Sequence, residues 1–497
     1  MVFRTSIPYL KKFSFIALLV TLQACNGLYF KEAIAPPSTT QYALHEWPYE
    51  EYWTGIVFNG NKIGFSHLQI ALDEKRPGTY LISSNASMHF RFLAVDKKVK
   101  LYSRDWVNPD LTINGFVYDY DMDGNRLKLY GVVRNNVLTV VIDSSAGQTT
   151  EQYPLLRPLY PTSVINLYPS FQGMSPDARY VYDVYDGESQ RMTTLTQHVE
   201  NYESSDLYPG EAYKIKTSMH GQDVTTWINT GAEPLLEMSM NDIFIAELKS
   251  EEMARYYLTQ AALNKEESLL NFSLIGTDQP LSLPRETNLL ELELSGTADM
   301  YDFPNDMRQQ CKGSGDITRC RINGSLSPVE ISDMSRNYLD SSLAIPTRHP
   351  TINRIVGVIT QDKASDSDKL SAIMDWIQTH IDPVATDVFT ALDVLQQRKA
   401  ECQGFSYLFA SFARSAGIPT RLVNGIVYSE QHEGFLYHTW VESQVDGNWQ
   451  SIDPIFGQLH ADATHIKFVE GDNTADLTPL LSVIGKLSAR IVEVETE

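Results

Sequence analysis

The chain has 497 residues, 43% of them hydrophobic and 11% aromatic, which is enough for two or three folded domains and argues against disorder. It carries 62 acidic and 40 basic side chains, giving a formal net charge of −22 at pH 7. Because affinity for nucleic acid comes mainly from Lys and Arg, this charge argues against the nucleic-acid-binding class, and we expect no nucleic-acid partner.

The N-terminus has the features of an export signal over residues 1–24. Basic side chains precede an apolar run at residues 13–22, which is about half of the roughly 20 residues that a membrane-spanning helix needs. The run ends in the letters LQAC at Cys25, which resemble the lipobox of bacterial lipoproteins. That resemblance implies cleavage before Cys25, lipidation of its thiol and anchorage in a membrane of the bacterial envelope. Asn26, rather than Asp, follows the cysteine, and by resemblance to enterobacterial sorting this favours the outer membrane. The alternative is an ordinary signal peptide that happens to end in a cysteine.

Two kinds of segment follow the signal. Residues 25–47 include a Pro-Pro-Ser-Thr-Thr stretch and lack apolar periodicity, so we expect a lipidated cysteine followed by a flexible tether. Over residues 48–345, short apolar runs alternate with turn residues, a pattern typical of antiparallel β structure. Asn59-Gly60 between two such runs predicts a hairpin with a type I′ turn. We therefore predict a β-rich region of one or more domains, whose role the sequence does not indicate.

Two segments resemble metal sites only superficially. Residues 119–125 match the first half of an EF-hand loop, but Tyr130 stands where the loop needs a bidentate Glu, so we interpret the segment as a hairpin turn. His432-Glu433 is followed by a second histidine at His438, six residues after the first rather than the four that a zinc-protease helix requires. The sequence therefore predicts no metal site and no cofactor.

The chain contains four cysteines, which suggest three different fates. Cys25 is the lipidation candidate. Cys311 and Cys320 lie nine residues apart around a Gly-containing turn, and an exported protein can form disulfides, so we expect them to pair across a hairpin. Two free thiols are the alternative, since spacing alone does not fix geometry. Cys402 is left over, and an odd thiol in an exported protein needs either burial or a chemical role.

From residue 346 to residue 497 the pattern changes to helices followed by strands. Apolar residues at helical spacing predict a helix over about 367–381, with Ser367 as its cap. A second helix is predicted over 391–398, and a third begins at Cys402 and ends before the Gly and Pro that follow residue 416. We therefore expect a separate α+β domain over 346–497.

Three residues in this domain suit nucleophilic chemistry. Cys402 is predicted at the first turn of its helix, where the helix dipole favours thiolate and free amides can receive an oxyanion. Downstream, Asp446-Gly447 predicts a hairpin whose register makes His438 and Asp453 diagonal neighbours on one face. A thiol, an imidazole and a carboxylate are the nucleophile, base and orienting group of thiol acyl transfer. A structural cysteine and an unrelated histidine are the alternative.

Four sequence blocks resemble the transglutaminase-like superfamily: AECQG at 400–404, AGIPTR at 416–421, HTWVE at 438–442 and DPIFG at 453–457. The resemblance covers roughly residues 365–460, and the order Cys, His, Asp with spacings of 36 and 15 residues fits the core of that family. It implies that Cys402, His438 and Asp453 are the catalytic triad. It also implies a papain-like α+β fold, in which a Cys-bearing helix packs on an antiparallel sheet that carries His and Asp.

The sequence therefore predicts an envelope-anchored thiol enzyme that acts on amide bonds of a protein or peptide, cell-wall peptides among them, through an acyl-enzyme. Hydrolysis by an amidase or peptidase is favoured, because water needs no dedicated acceptor site. Transglutaminase cross-linking of Gln and amine groups is the first alternative. A scaffold or binding protein with a silent triad is the second.

Overall fold

The computed structural model describes residues 29–37, 41–92, 95–240, 242–297, 301–326, 338–472, 476, 479–480 and 483–496. The predicted signal peptide and Cys25 lie outside these residues, so lipidation stays a prediction. Within the described ranges, every helix is too short or too polar to cross a bilayer.

Residues 51–249 form one 15-stranded sheet. Its strands are β1 (Glu51–Phe58), β2 (Asn61–Leu72), β3 (Tyr80–Phe92), β4 (Val95–Val107), β5 (Ile113–Met122), β6 (Asn125–Arg134), β7 (Val137–Ser144), β8 (Gly147–Pro154), β9 (Leu159–Tyr160), β10 (Arg179–Asp186), β11 (Arg191–Ser205), β12 (Tyr208–Met219), β13 (Gln222–Ile228), β14 (Pro234–Ser239) and β15 (Phe244–Lys249). In space the order runs from β8 back to β1 and then from β15 back to β9. Neighbours are antiparallel, except that β9 and β10 run parallel. The predicted antiparallel β-rich region is confirmed.

Tight turns at positive φ connect these strands, as the sequence predicts. Asn59 and Gly60 have φ of 45° and 76° between β1 and β2. Asp123 and Gly124, with φ of 53° and 90°, join β5 to β6, so the EF-hand-like segment is a hairpin turn. Asn, Asp and Gly accept this left-handed conformation at the least steric cost, which is why these letters mark the turns.

The described part of the predicted tether lies against the sheet, which corrects that expectation. The ring of Phe30 stacks on Trp227 with centroids 4.8 Å apart. The N–H of Lys31 donates to the carbonyl of Ser204 at 3.0 Å. A 3₁₀ turn over Leu44–Glu46 buries Leu44 in the core. Scattered aromatic and aliphatic side chains give this segment apolar surface to bury, although they lack a helical or strand period.

Short helices cover the large sheet, and they include α1 (Tyr168–Gln172), α2 (Glu251–Leu263) and α3 (Ser268–Ser273), with a 3₁₀ segment at Thr162–Leu167. The side chain of Ser250 caps α2 by accepting from the N–H of Met253 at 3.3 Å. Helix α2 approaches β1 closely at Gly55, where a Cβ atom would lie 2.6 Å from carbons of the Tyr257 ring.

The rest of the chain forms two smaller sheets and a helical layer. The strands are β16 (Ile275–Gly276), β17 (Thr287–Ser295), β18 (Gln309–Ser314), β19 (Ile317–Asn323), β20 (Asp382–Pro383), β21 (Lys399–Ala400), β22 (Thr420–Ser429), β23 (Gly434–Val445), β24 (Asn448–Ile452), β25 (Ile466–Glu470) and β26 (Ser488–Thr496). A five-stranded sheet has the order β16-β23-β22-β25, with β24 also paired to β23. A four-stranded sheet has the order β18-β19-β17-β26, and β20 pairs with β21.

Strand pairing crosses the boundary predicted at residue 346. Strand β17 pairs with β26 near the end of the chain, and β16 pairs with β23. Apolar side chains of the four-stranded and five-stranded sheets share one core, which includes Leu290, Ile426 and Phe468. Residues 275–323 therefore pack with the C-terminal part of the chain, a contact over long sequence separation that local patterns do not reveal.

The helical layer beside the five-stranded sheet consists of α4 (Pro350–Ile359), α5 (Asp366–His380), α6 (Ala391–Gln397) and α7 (Cys402–Ser415). Earlier in the chain, a 3₁₀ turn covers Pro284–Glu286. The predicted apolar face of α5 is buried. Its cap, however, is Ser365 rather than Ser367, because Ser365 and Asp368 form a reciprocal capping box. The α6 and α7 helices lie where the sequence predicts them.

The large sheet touches the segment that leads into α6 and α7. The buried ammonium of Lys97 on β4 lies 2.9 Å from Asp387 and 3.4 Å from Asp123. The hydroxyls of Ser145 and Thr390 are 2.6 Å apart. The large N-terminal sheet thus contacts residues 387–390, which precede α6 and the helix that begins at Cys402.

Cys311 and Cys320 form a disulfide, as predicted, between directly paired positions of β18 and β19. Both cysteines are buried in the core shared by the two smaller sheets.

We expect Cys311→Ser/Cys320→Ser to lower the free energy of unfolding by about 2–3 kcal/mol, because the bridge closes a short loop in the unfolded chain. Urea denaturation of the double variant and of Ser314→Ala, an exposed residue of the same hairpin, measures the difference. Full alkylation of both thiols in unreduced, denatured wild type would contradict the pairing.

Candidate active site

Cys402 is the first residue of α7, and its thiol is free and half-buried. Most of α7 is buried. In its first turn the backbone at Gly404 packs so closely on Ala400 that a Cβ atom at Gly404 would lie 2.5 Å from the Cβ of Ala400. The hydroxyl of Ser406 donates to the carbonyl of Thr439 on β23 at 3.0 Å. The helix that carries the thiol is thereby joined to the strand that carries His438.

The hairpin of β23 and β24 has the predicted register, with Val445 opposite Asn448 and Val441 opposite Ile452. The ladder ends there, and the chain turns at Asp453. The Nε2 atom of His438 lies 2.7 Å from Oδ2 of Asp453. The predicted contact between these two side chains forms, although Asp453 lies in the turn after the strand rather than within the ladder.

Asp453 is fully buried and held on both carboxylate oxygens. Its Oδ1 accepts from the N–H groups of Ile455 at 2.9 Å and Phe456 at 3.2 Å. Burial alone would raise the pKa of Asp453, but His438 and the adjacent His465 lower it well below its usual range. Asp453 is therefore a fixed carboxylate at neutral pH.

His438 is buried beside two aromatic rings. Phe456 stacks on it at 5.4 Å between centroids, and Trp440 lies at 6.2 Å. Because Asp453 accepts from Nε2, the proton of a neutral imidazole stays on that nitrogen, and Nδ1 carries the lone pair. The geometry therefore provides a base whose accepting nitrogen is defined.

The surroundings of the Cys402 thiol differ from the sequence-based expectation. Burial and the neighbouring Glu401 raise the pKa of Cys402 well above its usual value, while backbone hydrogen bonds from Thr439 and Gln403 lower it. The thiol faces Oε2 of Glu401 at 3.9 Å. Burial and Asp387 raise the pKa of Glu401 to about 7, and Lys97 opposes them. A helix start favours thiolate, but here burial of the sulfur, together with the adjacent Glu401, outweighs that effect and favours the thiol.

We expect Glu401→Gln to speed alkylation of Cys402 by iodoacetamide at pH 8 by about tenfold, which corresponds to one pKa unit. At pH 8 Glu401 is ionised and disfavours the thiolate, whereas below its pKa of about 7 it is neutral. The alkylation rates of wild type and Glu401→Gln should therefore become equal near pH 5.5. Asp382→Asn, an exposed change nearby, is the control, and equal rates at pH 8 would contradict the role of Glu401.

One buried residue of the site was missed by the sequence analysis. His465, just before β25, places Nε2 at 2.9 Å from Oδ2 of Asp453, the same oxygen that binds His438. Its Nδ1 lies 3.1 Å from the carbonyl oxygen of Asp462. A histidine twelve residues beyond the predicted Asp453 has no local pattern that marks it, and only the return of the chain to the sheet brings it here.

His438, Asp453 and His465 bring potential metal-ligating atoms within 4.8 Å of one another. Their separations of 2.7 and 2.9 Å are those of N–H···O hydrogen bonds. We therefore interpret the group as hydrogen-bonded side chains and assign it no metal.

Comparison with known proteins locates this site within a known superfamily. Residues 353–454 match the family model described as "Transglutaminase-like superfamily". A stretch of 145 residues is 28% identical to kyphoscoliosis peptidase of Mus musculus and covers 26% of this chain and 22% of that protein. An uncharacterised protein of Mycobacterium leprae is 26% identical over 165 residues, which cover 31% of this chain and 58% of that protein. The chain thus spans well under two thirds of these relatives.

A candidate cysteine protease of Cytophaga hutchinsonii is among the similar solved structures, with 15% identity and a TM-score of 0.29 over 42% of this chain and 90% of that one. The family match covers Cys402, His438 and Asp453. Residues 353–454 therefore constitute a transglutaminase-like domain.

Proposed function

We propose that this protein is an envelope-anchored thiol enzyme that hydrolyses amide bonds through Cys402, His438 and Asp453. The hydrogen bond of 2.7 Å between Nε2 of His438 and Oδ2 of Asp453 carries the proposal, because it directs the lone pair of Nδ1 to a proton-accepting role. The transglutaminase-like domain supports this assignment.

In the proposed reaction, Nδ1 of His438 takes the proton of the Cys402 thiol as sulfur attacks the carbonyl carbon of an amide. The amide nitrogen receives that proton and leaves as an amine, giving a thioester on Cys402. His438 then takes a proton from water, whose oxygen attacks the thioester and releases a carboxylic acid and the thiol. Backbone N–H groups at the start of α7 are the expected donors to the oxyanion.

The expected substrate is a protein or peptide, with cell-wall peptides among the candidates. Hydrolysis is favoured because water needs no acceptor site, and the mouse relative bears the name of a peptidase. Transamidation is the second candidate, since the matched superfamily is named for it.

The proposal is tested by trapping the acyl-enzyme. We expect an amide-mimicking electrophile to label Cys402 in the wild type, located by peptide mass spectrometry, and candidate envelope peptides to compete with it. Adding a fluorescent primary amine separates the two reactions, because incorporation into the acyl group in preference to hydrolysis indicates transamidation. Labelling elsewhere with Cys402 untouched would show that the proposal is wrong.

The anchor is a separate prediction, motivated by the LQAC letters that end at Cys25. We expect Cys25→Ser to be processed incorrectly and to lose its acyl label and its membrane attachment, since several acyl chains are needed for stable anchoring. Metabolic labelling with a fatty acid and fractionation of cells measure both. A variant that fractionates with membranes and carries as much label as the wild type would refute the anchor.

A further inference from the structure

The site contains a second histidine with no place in the proposed mechanism. The side chain of His465 is fully buried, and its Nε2 lies 2.9 Å from Oδ2 of Asp453. The same oxygen lies 2.7 Å from Nε2 of His438. Two imidazoles therefore bind one carboxylate oxygen.

Both ring nitrogens of His465 face oxygen atoms that only accept hydrogen bonds. Nε2 faces Asp453, while Nδ1 lies 3.1 Å from the carbonyl oxygen of Asp462 and 3.4 Å from its Oδ1. A neutral imidazole would direct a lone pair at one of these oxygens, whereas an imidazolium donates to both sides. Burial lowers the pKa of His465, but Asp462 and Asp453 outweigh it and the net shift is upward.

Beyond His465 the charged groups alternate in sign, since the carboxylate of Asp462 is followed by the guanidinium of Arg285. Nη1 of Arg285 lies 3.0 Å from Oδ2 of Asp462, and Glu430 acts on Arg285 from farther away. The guanidinium of Arg285 packs on the ring of Phe456 at 4.3 Å, and Phe456 in turn stacks on His438. Trp440 contacts His465 edge-on at 5.3 Å.

We propose that His465 is a positioning residue, a permanent imidazolium that fixes Asp453 and, as a second cation on its Oδ2, makes His438 a weaker base. This inference rests on the proposed function, in which His438 is the base. An imidazole that is unprotonated near neutral pH can accept the thiol proton of Cys402, whereas a more strongly basic imidazole would already be protonated. The clamp by Asp462 and Arg285 keeps His465 in place.

The first test titrates the histidines of the full-length chain by NMR with ¹⁵N-labelled imidazoles, in a Cys402→Ala background. His465 should show the nitrogen shifts of an imidazolium from pH 5 to pH 8. His465→Gln keeps one N–H donor toward Asp453 but removes the charge, and it should change the pH dependence of Cys402 acylation, which is measured in the same chain with Cys402 restored. His460→Gln changes an exposed histidine of the same segment and should leave it unchanged.

The second test measures acylation of Cys402 by the amide-mimicking electrophile across pH. We expect His465→Gln to lower the rate at neutral pH about tenfold, because it removes the positive charge beside Asp453 while keeping the hydrogen-bond donor. His465→Phe, which also loses the donor, should lower it further. Thermal unfolding shows whether each variant is folded. If neither variant folds, the ¹⁵N shifts of His465 in the chain that carries only Cys402→Ala still show whether His465 is an imidazolium.

The outcomes separate this inference from the proposed function. A neutral His465 at pH 7 would overturn the inference, and so would an unchanged rate and pH dependence of Cys402 acylation in folded His465→Gln. Stoichiometric metal that is lost with His465 would also overturn it. If instead His438→Ala left labelling of Cys402 intact, the proposed function itself would fail.

Discussion

Replacement of His438 by alanine is expected to lower turnover by about 10³–10⁴-fold, because the proposed mechanism loses the base that takes the thiol proton. Labelling of Cys402 by the amide-mimicking electrophile should be lost with it. The hairpin fold should survive, since the imidazole packs against Phe456 and Trp440 but pairs with no backbone group in the described contacts. Steady-state kinetics and labelling rates measure both effects.

Asp453→Asn should lower turnover by about 10³-fold or more, because an amide N–H₂ directed at Nε2 favours the wrong imidazole tautomer. This variant should also lose stability. Asp453 is the shared partner of His438 and His465, so its replacement leaves the buried imidazolium of His465 without this carboxylate. Comparing kinetics with thermal unfolding separates the two losses.

The triad members should act as a unit, so that Cys402→Ala/His438→Ala is little worse than either single change. His460→Ala, at an exposed histidine, is the matched control and should behave as wild type. A binding or scaffold protein predicts something else: ordinary thiol reactivity and an unchanged phenotype in cells that carry Cys402→Ala. That result would leave the triad without a catalytic role.

The second large effect concerns stability, at Glu442 of the HTWVE block. Glu442 is 1% exposed and lies opposite Arg421 on β22. It pairs with Arg421 at 2.7 Å and with Lys467 at 3.0 Å, and it accepts from Ser451 at 3.1 Å. We expect Glu442→Gln to lower the free energy of unfolding by about 3 kcal/mol, the low end for breaking a buried ion pair, because Arg421 and Lys467 lose this carboxylate but keep their contacts with Glu470.

The same group predicts the acid dependence of stability. Burial opposes ionisation of Glu442, but Lys467 and Arg421 lower its pKa to about 2 from the usual 4.5. Between about pH 2 and pH 4.5, Glu442 therefore binds fewer protons in the folded chain than in the unfolded chain. Its contribution is therefore complete above about pH 4.5 and is lost as the pH falls toward 2.

Urea denaturation at pH 7 and at pH 3 measures this dependence. Glu442→Gln should narrow the difference between the two pH values, whereas Glu495→Gln, at an exposed position of β26, should not. If wild type and Glu442→Gln lost equal stability between pH 7 and pH 3, the linkage to Glu442 would be wrong.

Several features follow from local sequence alone. The turns at Asn59-Gly60 and Asp446-Gly447 have the positive φ that these residues accept most readily. The periodic faces of α5 and α7 are buried, since a 3.6-residue period fixes which side chains share a face. The hairpin register that brings His438 toward Asp453 follows from the turn and the two-residue period of a strand.

Tertiary structure decided what depends on distant parts of the chain. The pairing of β17 with β26 joins segments about 200 residues apart, and no local pattern encodes the partner of a strand. The environment of the Cys402 thiol was likewise hidden. Its helix start predicted a depressed pKa, whereas the packing that buries the thiol beside Glu401 raises it.

His465 shows the division most clearly. The sequence by itself determined that a cysteine, a histidine and an aspartate stand in the order and spacing of a known superfamily, because short-range turns and helical periods predict their places at a helix start and on a hairpin. The second imidazole on Asp453 comes from a loop that returns to β25 and is locked by Asp462 and Arg285. A hydrogen bond between side chains requires the folded backbone to bring both groups within about 3 Å, and that distance exists only once the sheets have assembled.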